Sequence, residues 1–373
     1  MLSKIPLSIY IHFPWCLTKC HYCDFNSFPL LNENLIEFYV NKLLLDIYQE
    51  SIKWKDRRAI KSIYFGGGTP NLLSKKYLKK IITTIKTHFE IAVEIEITLE
   101  INPESIDYWN IYSFKEAGIN RFSVGIQSFD FNILKNINRH YSPEKAISVI
   151  NMIKNIGVLN FNVDFMFGIP KQSIESALKD LEIIVQFKPP HISRYQYTVN
   201  YIDINCDDEE IFRMQYLGQK FLCAQGYQHY EVSSYSIHID YCSRHNMNYW
   251  LYGDYIGIGA GAHSKMSVGK YKILRYEKIS NPNKYIYSDK LIFKQEIISG
   301  KKLPIDFLMN VLRLYQPLSY KFLQKCTGYT IKNFKKKLYY ANKLGLIVLF
   351  KDKLIVTEHG QNFLNDLLEI FCE

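Results

Sequence analysis

The sequence predicts an α/β protein: six successive strand–helix units forming a parallel sheet, followed by a smaller domain of short helices and a hairpin. Two patterns predict it. Through the first half, short runs rich in β-branched and aromatic residues alternate with amphipathic stretches of helical period. The chemically distinctive residues also cluster at the ends of the predicted strands, where parallel sheets bind their ligands, whether the sheet closes as a barrel or stays open and doubly wound.

Strands are expected at Leu7–Phe13, Ser62–Phe65, Glu94–Ile101, Arg121–Gly125, Asn160–Phe167 and His191–Tyr197. The helical stretches between them are Leu35–Gln49, Lys75–Phe89, Glu104–Ala117, Pro143–Ile156 and Ser173–Phe187. Each opens beside a capping or turn residue: Asn34, Ser74, Asn102 with Pro103, Ser142 with Pro143, and Gln172 with Ser173. Asn34 has Glu37 three positions on, close to a capping box. A group of cysteines follows the first strand and GGGTP the second, while Glu100 closes the third. Gln127 follows the fourth strand and Asp164 lies within the fifth.

After about residue 265 the texture changes. Residues 266–300 are rich in Lys, Tyr, Ser and Asn and read as an irregular connector between residues 1–265 and residues 301–373. In the last segment Pro304–Leu314, Ser319–Cys326 and Thr330–Leu344 read as short helices. Leu346–Phe350 and Leu354–Val356 read as a hairpin, with Thr357 capping a last helix. That arrangement is winged-helix-like.

The chain has 373 residues, 47% hydrophobic and 22% charged, which is ordinary globular composition and excludes disorder, collagen-like repeats and a coiled-coil rod. No apolar run reaches the roughly 18 residues of a membrane span. MLSKIPLSIYIHFPW lacks the apolar stretch and cleavage site of a signal peptide, so a cytoplasmic protein is expected. Lys+Arg 46 against Asp+Glu 36 leaves +10, which an anionic partner would suit. Lysines spread over solvated faces account for it better. The basic stretch Ile331–Lys343 offers no base-reading side chains, and no nucleic acid is expected as a partner.

Of the eight cysteines, Cys16, Cys20 and Cys23 crowd together, while Cys206, Cys223, Cys242, Cys326 and Cys372 are scattered. One tight cluster in a large chain points to a metal before a disulfide framework. Three thiolates without an evident fourth would leave one iron of a [4Fe–4S] cube open to another ligand. A zinc site completed by His12 or His21 is the competing assignment.

The stretch IYIHFPWCLTKCHYCDF resembles the signature of the radical S-adenosylmethionine superfamily, in particular its HemN/HemW branch. Later motifs match in order: GGGTP (Gly66–Pro70), EINP (Glu100–Pro103), SVGIQSF (Ser123–Phe129), Asn138 with Arg139, and VDFMFGIPKQ (Val163–Gln172). The resemblance implies a partial (β/α)6 TIM-like barrel with a smaller C-terminal winged-helix-like domain. It implies a [4Fe–4S] cluster on Cys16, Cys20 and Cys23. It also implies S-adenosylmethionine bound by Tyr10, Tyr22, Gly67, Gly68, Thr69, Glu100, Gln127, Arg139 and Asp164. The residue types are apt, because Arg139 can pair a carboxylate bidentately and the acids and amide can bond ribose hydroxyls or an amine.

Two further stretches bear on function. Asp254–Ser264 (DYIGIGAGAHS) imitates a dinucleotide fingerprint, but Ser264–Tyr276 is strand-like rather than a helix opening at the glycines, so a close-packed turn is expected instead. HNMNYW, starting at His245, resembles the HNxxYW stretch of haem-binding members of the branch and implies that His245 contacts haem. The branch holds two activities: oxygen-independent coproporphyrinogen III oxidase, which decarboxylates propionates by radical chemistry, and a haem chaperone. The oxidases carry a further cysteine two residues after the third ligand, where this chain has Phe25, and an N-terminal extension, where only fifteen residues precede Cys16. Both departures imply a chaperone that binds haem and hands it to an unidentified acceptor protein.

Overall fold

The computed structural model describes residues 5–55, 57–198 and 207–372; Cys206 lies outside them. Strand β1 (Leu7–Phe13) sets a pattern that its neighbours repeat. Leu7, Ile9, Ile11 and Phe13 join the main apolar core, so Ser8, Tyr10 and His12 face the other way. The two-residue strands β2 (Trp15–Cys16) and β3 (Phe28–Pro29) pair across the base of the cysteine loop. The chain then alternates as α1 (Asn34–Trp54), β4 (Ile60–Gly67), α2 (Lys75–His88), β5 (Ile91–Ile101), α3 (Tyr108–Ala117) and β6 (Arg121–Gln127). Next come α4 (Phe131–Asn136), α5 (Pro143–Asn155), β7 (Phe161–Phe167), α6 (Ile174–Gln186) and β8 (His191–Gln196). Helix α7 (Asp208–Ala224), the hairpin β9 (Gln228–Glu231) and β10 (Ser234–Ser236), α8 (Arg244–Trp250) and β11 (Asp254–Ile258) follow.

The main sheet has the order β14-β13-β12-β11-β1-β4-β5-β6-β7-β8-β10-β9, with β12 (His263–Gly269), β13 (Lys272–Lys278) and β14 (Ile292–Ile298) on one flank. Strands β11 through β8 are parallel, and both flanks are antiparallel. The parallel part therefore holds one strand more than the expected six, because β11 pairs with β1. Helices cover the apolar face of this part. The opposite face is polar and internally bonded: Ser62 Oγ donates to Ser8 Oγ (2.8 Å), and Asn162 Nδ2 donates to Ser123 Oγ (2.8 Å) and Asp164 Oδ1 (2.7 Å). Ligand chemistry belongs on that face.

Residues 266–300 are not an irregular connector. They supply most of β12, all of β13 and β14, and the short helix α9 (Pro282–Tyr287). The polar composition misleads because several polar residues are buried and paired. Lys278 Nζ lies 2.6 Å from both Asp46 and Glu50 of α1, while Tyr285 and Tyr276 donate to those same acids at 2.6 Å. Lys265 is likewise buried against Asp254 at 3.2 Å. A buried ion pair costs desolvation, and extra hydrogen bonds of this kind offset it.

Smaller departures are local. Asn34 lies inside α1 rather than capping it, and Asn32 Oδ1 accepts from Asn34 N (3.0 Å) instead. The helix expected from Glu104 starts at Tyr108, capped by Asp107, because Pro103–Ser105 first makes a 3₁₀ turn. Ser74, Ser142 and Ser173 cap as expected, accepting from Tyr77, Lys145 and Ser176 backbone N–H groups.

Beyond the sheet, α10 (Lys302–Val311), α11 (Tyr320–Thr327), α12 (Lys335–Lys343), α13 (Glu358–Asn362) and α14 (Leu364–Cys372) surround a small sheet. Its strands are β15 (Leu318–Ser319), β16 (Ile347–Leu349) and β17 (Lys353–Val356), in the order β15-β17-β16. Leu303, Phe307, Leu323, Leu338 and Leu367 form a second core that also takes in Ile273 and Ile298 of the flanking strands. Among the described residues, no helix is long and apolar enough to cross a membrane.

Asp180 of α6 fixes the loop that leaves β6, accepting from Phe129 N (2.6 Å) and Ser128 Oγ (2.8 Å). Burial lifts its carboxyl from 3.8 to about 7. Between these values the folded chain keeps a proton that the unfolded chain has released, so stability falls as pH rises through the window. Asp180→Asn should flatten that fall in urea unfolding measured from pH 3.8 to about 7. An unchanged slope would show that the carboxyl titrates normally.

Candidate cofactor site

The register of β1 against β4 sets Phe13 opposite Gly67, so the cysteine loop and the glycine turn leave the sheet at the same level. Two backbone bonds then join them: Gly68 N to Phe13 O at 2.7 Å and Thr69 N to Trp15 O at 2.8 Å. This approach requires glycine. Gly67 has φ +115°, and a Cβ there would stand 2.6 Å from the His12 ring. A Cβ on Gly68 would stand 2.5 Å from the Trp15 carbonyl oxygen and 3.0 Å from Cys16 Sγ.

Cys16 is buried, and that burial raises its thiol, opposed by a hydrogen bond from Thr69. Cys20 and Cys23 are half-buried, with Cys23 N donating to Cys20 O (3.2 Å) and Cys23 Sγ 3.6 Å from Ser27 Oγ. All three thiols are free and line one cavity of about 530 Å³. Among the described residues, no three His, Cys, Asp or Glu side chains converge around a single metal ion. His12 is not available for zinc, since its Nδ1 bonds Tyr10 Oη (3.0 Å) and its Nε2 bonds Asn26 O (2.8 Å).

The same cavity gathers Tyr22, Gly67, Gly68, Thr69, Glu100, Gln127, Arg139 and Asp164 from separate strand ends. Glu100 accepts from Tyr64 Oη (2.8 Å) and Gly67 N (3.2 Å), and burial lifts its carboxyl to about 7. Asp164 accepts from Ser123 Oγ (3.0 Å) and Asn162, and burial raises it too. Gln127 adopts φ +69°, bending the strand end so that its amide lies over Gly125, close to Arg139. Helix α4, which sequence patterning missed, is capped by Asp130 and delivers Asn138 at φ +59° and then Arg139. Arg139 Nε and Nη2 donate to Tyr22 Oη (3.2 and 3.0 Å), and among the described residues no carboxylate pairs with it.

Two expected cofactor residues are elsewhere. Tyr10 stands behind Gly66, beside Glu100, and opens onto a second groove. His245 lies on α8 against the polar face of the sheet, 2% exposed, with Nδ1 bonded to Ser62 Oγ (3.2 Å) and Nε2 to Tyr249 Oη (3.0 Å). Its ring stacks on Tyr64 at 4.8 Å, and burial lowers its pKa to about 3. Both of its nitrogens are thus committed within the chain, to one serine and one tyrosine. Conversely, Tyr64, Ser123, Met166 and Tyr195 line the cavity and were not expected. Strand alternation was the available signal, since each falls on the same face as Glu100 or Asp164.

The donor set fits a cluster with a small zwitterionic ligand. It offers soft thiols on one wall, an unpaired guanidinium on another, and carboxylates with raised pKa between. The glycine cradle carries the geometry. Gly68→Ala should cost about 1–3 kcal/mol in urea unfolding, as overpacking typically does. Gly226→Ala, with open space around its Cβ but φ +88°, separates backbone strain from collision. Equal losses in the two variants would remove the close-approach explanation.

A family model of the radical SAM superfamily matches residues 10–184. The chain is 39% identical over 382 residues to the heme chaperone HemW of Buchnera aphidicola subsp. Schizaphis graminum, covering 100% of both. It is 36% identical over 378 residues to the heme chaperone HemW of Escherichia coli K12, covering 100% of this chain and 99% of that one. The structure also matches the coproporphyrinogen III oxidase HemN of Escherichia coli with TM-score 0.85 at 20% identity, covering 99% of this chain and 90% of that one, a likeness of fold. Full-length similarity of this degree, on a sheet that brings the expected cysteines and glycines into one cavity, means that the chain belongs to the HemW family of the radical S-adenosylmethionine superfamily.

Proposed function

We propose that this protein is a cytoplasmic haem chaperone that binds haem and passes it to an acceptor protein, carrying a [4Fe–4S] cluster and S-adenosylmethionine in the cysteine cavity. Membership of the family supports the cluster and S-adenosylmethionine, and full-length similarity to proteins named heme chaperones supports haem. The observation that carries the choice against an oxidase is Phe25. It stands where the oxidases of the branch have a further cysteine, it is 62% exposed, and it lines the mouth of the cavity. An oxidase must hold a propionate rigidly against a radical centre, and an open wall harms that geometry. A carrier needs accessible surface and a route for release.

When bound, the cluster and S-adenosylmethionine supply one-electron chemistry. The residues have separable tasks. Cys16, Cys20 and Cys23 would hold the iron, and Arg139 would pair the methionine carboxylate while Tyr22 keeps the guanidinium in place. Oxygens of the turn Gly67–Thr69 would receive the ammonium. Glu100, Gln127 and Asp164 would take ribose hydroxyls or the amine, Glu100 held by Tyr64 and Asp164 by Asn162. Tyr10 would act behind Glu100 rather than on the ligand.

Removing the guanidinium would leave a carboxylate unpaired, so Arg139→Ala should weaken S-adenosylmethionine by on the order of 2–5 kcal/mol in anaerobic calorimetry on cluster-loaded protein. Unchanged affinity would assign that contact to another residue. For the function itself, haem should bind stoichiometrically and move to an apo-haemoprotein in an absorbance transfer assay, while coproporphyrinogen III is left unconverted. Robust decarboxylation by the cluster-loaded protein would favour the oxidase reading that the fold alone also permits.

A further inference from the structure

The HNMNYW stretch lies on α8, and several of its groups anchor that helix. Arg244 N and His245 N donate to the Glu96 carboxylate at 3.2 and 3.3 Å. Asn248 Nδ2 donates to Asp254 O (2.8 Å), and the Arg313 guanidinium lies over the Trp250 ring at 5.3 Å. The His245 ring has a different neighbour. Its centroid is 4.8 Å from that of Tyr64, with the planes 23° apart, and 6.1 Å from that of Tyr10. Tyr10 and Tyr64 are register partners on β1 and β4, their rings 6.2 Å apart. The imidazole therefore packs on both tyrosines. Of the two, Tyr64 reaches the cofactor cavity, where its hydroxyl donates to Glu100 Oε1 (2.8 Å).

The imidazole is fixed in its own plane. Ser62 Oγ commits its only proton to Ser8 Oγ, so it accepts from His245 Nδ1–H, and Nε2 then accepts from Tyr249 Oη. Burial lowers the pKa of the ring to about 3, so it stays neutral and keeps this bonding pattern. Glu100 depends on what Tyr64 does, because its other bond is a single backbone one, from Gly67 N at 3.2 Å. Gly66 brings no side chain to brace the tyrosine. A Cβ there would stand 3.0 Å from the Tyr64 ring and 3.1 Å from both Glu100 and Tyr10. Ring contacts with Tyr10 and His245 are left to hold the Tyr64 hydroxyl on the carboxylate.

We propose, resting on the S-adenosylmethionine binding inferred above, that His245 is a positioning residue for that cofactor, stacking on Tyr64 and so keeping the Tyr64 hydroxyl on Glu100. The motif then serves the cofactor cavity without entering it. Anaerobic calorimetry of S-adenosylmethionine on the cluster-loaded full chain tests this with two opposed variants. His245→Gln can still bond Ser62 and Tyr249 but has no ring, and it should bind S-adenosylmethionine about tenfold more weakly. Tyr64→Phe should lose a similar factor, through the missing bond to Glu100. His245→Phe gives up both hydrogen bonds but keeps a ring, so its thermal stability should fall while its affinity stays within about threefold of wild type. A role confined to anchoring the helix predicts the reverse order. His245→Gln combined with Tyr64→Phe should bind no more weakly than Tyr64→Phe alone, because the histidine acts through the tyrosine. Weaker binding by His245→Phe than by His245→Gln, or additive losses in the double variant, overturns the assignment and leaves the cofactor reading standing. Wild-type protein that carries its cluster and takes up no S-adenosylmethionine removes both.

Discussion

The parallel pairing of β1 with β4, with Phe13 level with Gly67, is the constraint on which the site depends. From it come the backbone bonds of Gly68 and Thr69 to Phe13 and Trp15, and hence the contact of a glycine turn with a cysteine thiol. A slip of one residue would turn Tyr10 and His12 into the apolar core and separate the two loops. The core prevents that slip. Ile9, Ile11, Ile63 and Phe65 are wholly buried on the opposite face, and exposing them would forfeit about 1.5–3 kcal/mol for each side chain.

The polar face raises a different problem, because polar groups removed from water need partners. Neighbouring strands provide many of them. Ser8 meets Ser62, Asn162 links Ser123, Asp164 and His191, and His191 also bonds Tyr230 at 2.7 Å. Helix α8 fills the space in front of β1 and β4, with His245 on Ser62 and Tyr249 against Tyr255. The resulting surface is stiff near the sheet and open at the strand ends. There the cavity has raised carboxylates and an unpaired cation, the kind of perturbed cluster that marks a functional site.

On the other side of the molecule, α1 is tied to the antiparallel flank by Asp46 and Glu50 meeting Lys278, Tyr276 and Tyr285. The second core extends the same flank through Ile273 and Ile298 to α10, with Arg275 bonded to Asp306 at 3.0 Å. The C-terminal helices rest on the strands beside β11, the segment after α10 also bonds the β9 hairpin through Arg313 and Tyr315, and none of their residues lines the cofactor cavity. That leaves the mouth between the cysteine loop and β8 free of them.

By itself, the sequence determined the alternation of strands and helices, the cysteine loop and the glycine turn. These depend on periods of 2.0 and 3.6 residues and on neighbours close in the chain. Glu100 and Gln127 at strand ends, Asp164 within a strand, and Arg139 by the family resemblance were also singled out, and the folded chain brings them into one cavity. Residues 266–300 were illegible because a buried lysine and buried tyrosines look like surface until their acids, more than 220 residues away on α1, are placed beside them. The surroundings of His245 were illegible for the same reason. A motif specifies which residue types stand together, but whether an imidazole meets solvent or a serine from another strand is decided by packing. Tyr10, too, comes to line the second groove beside Tyr255 only when β11 lies against β1.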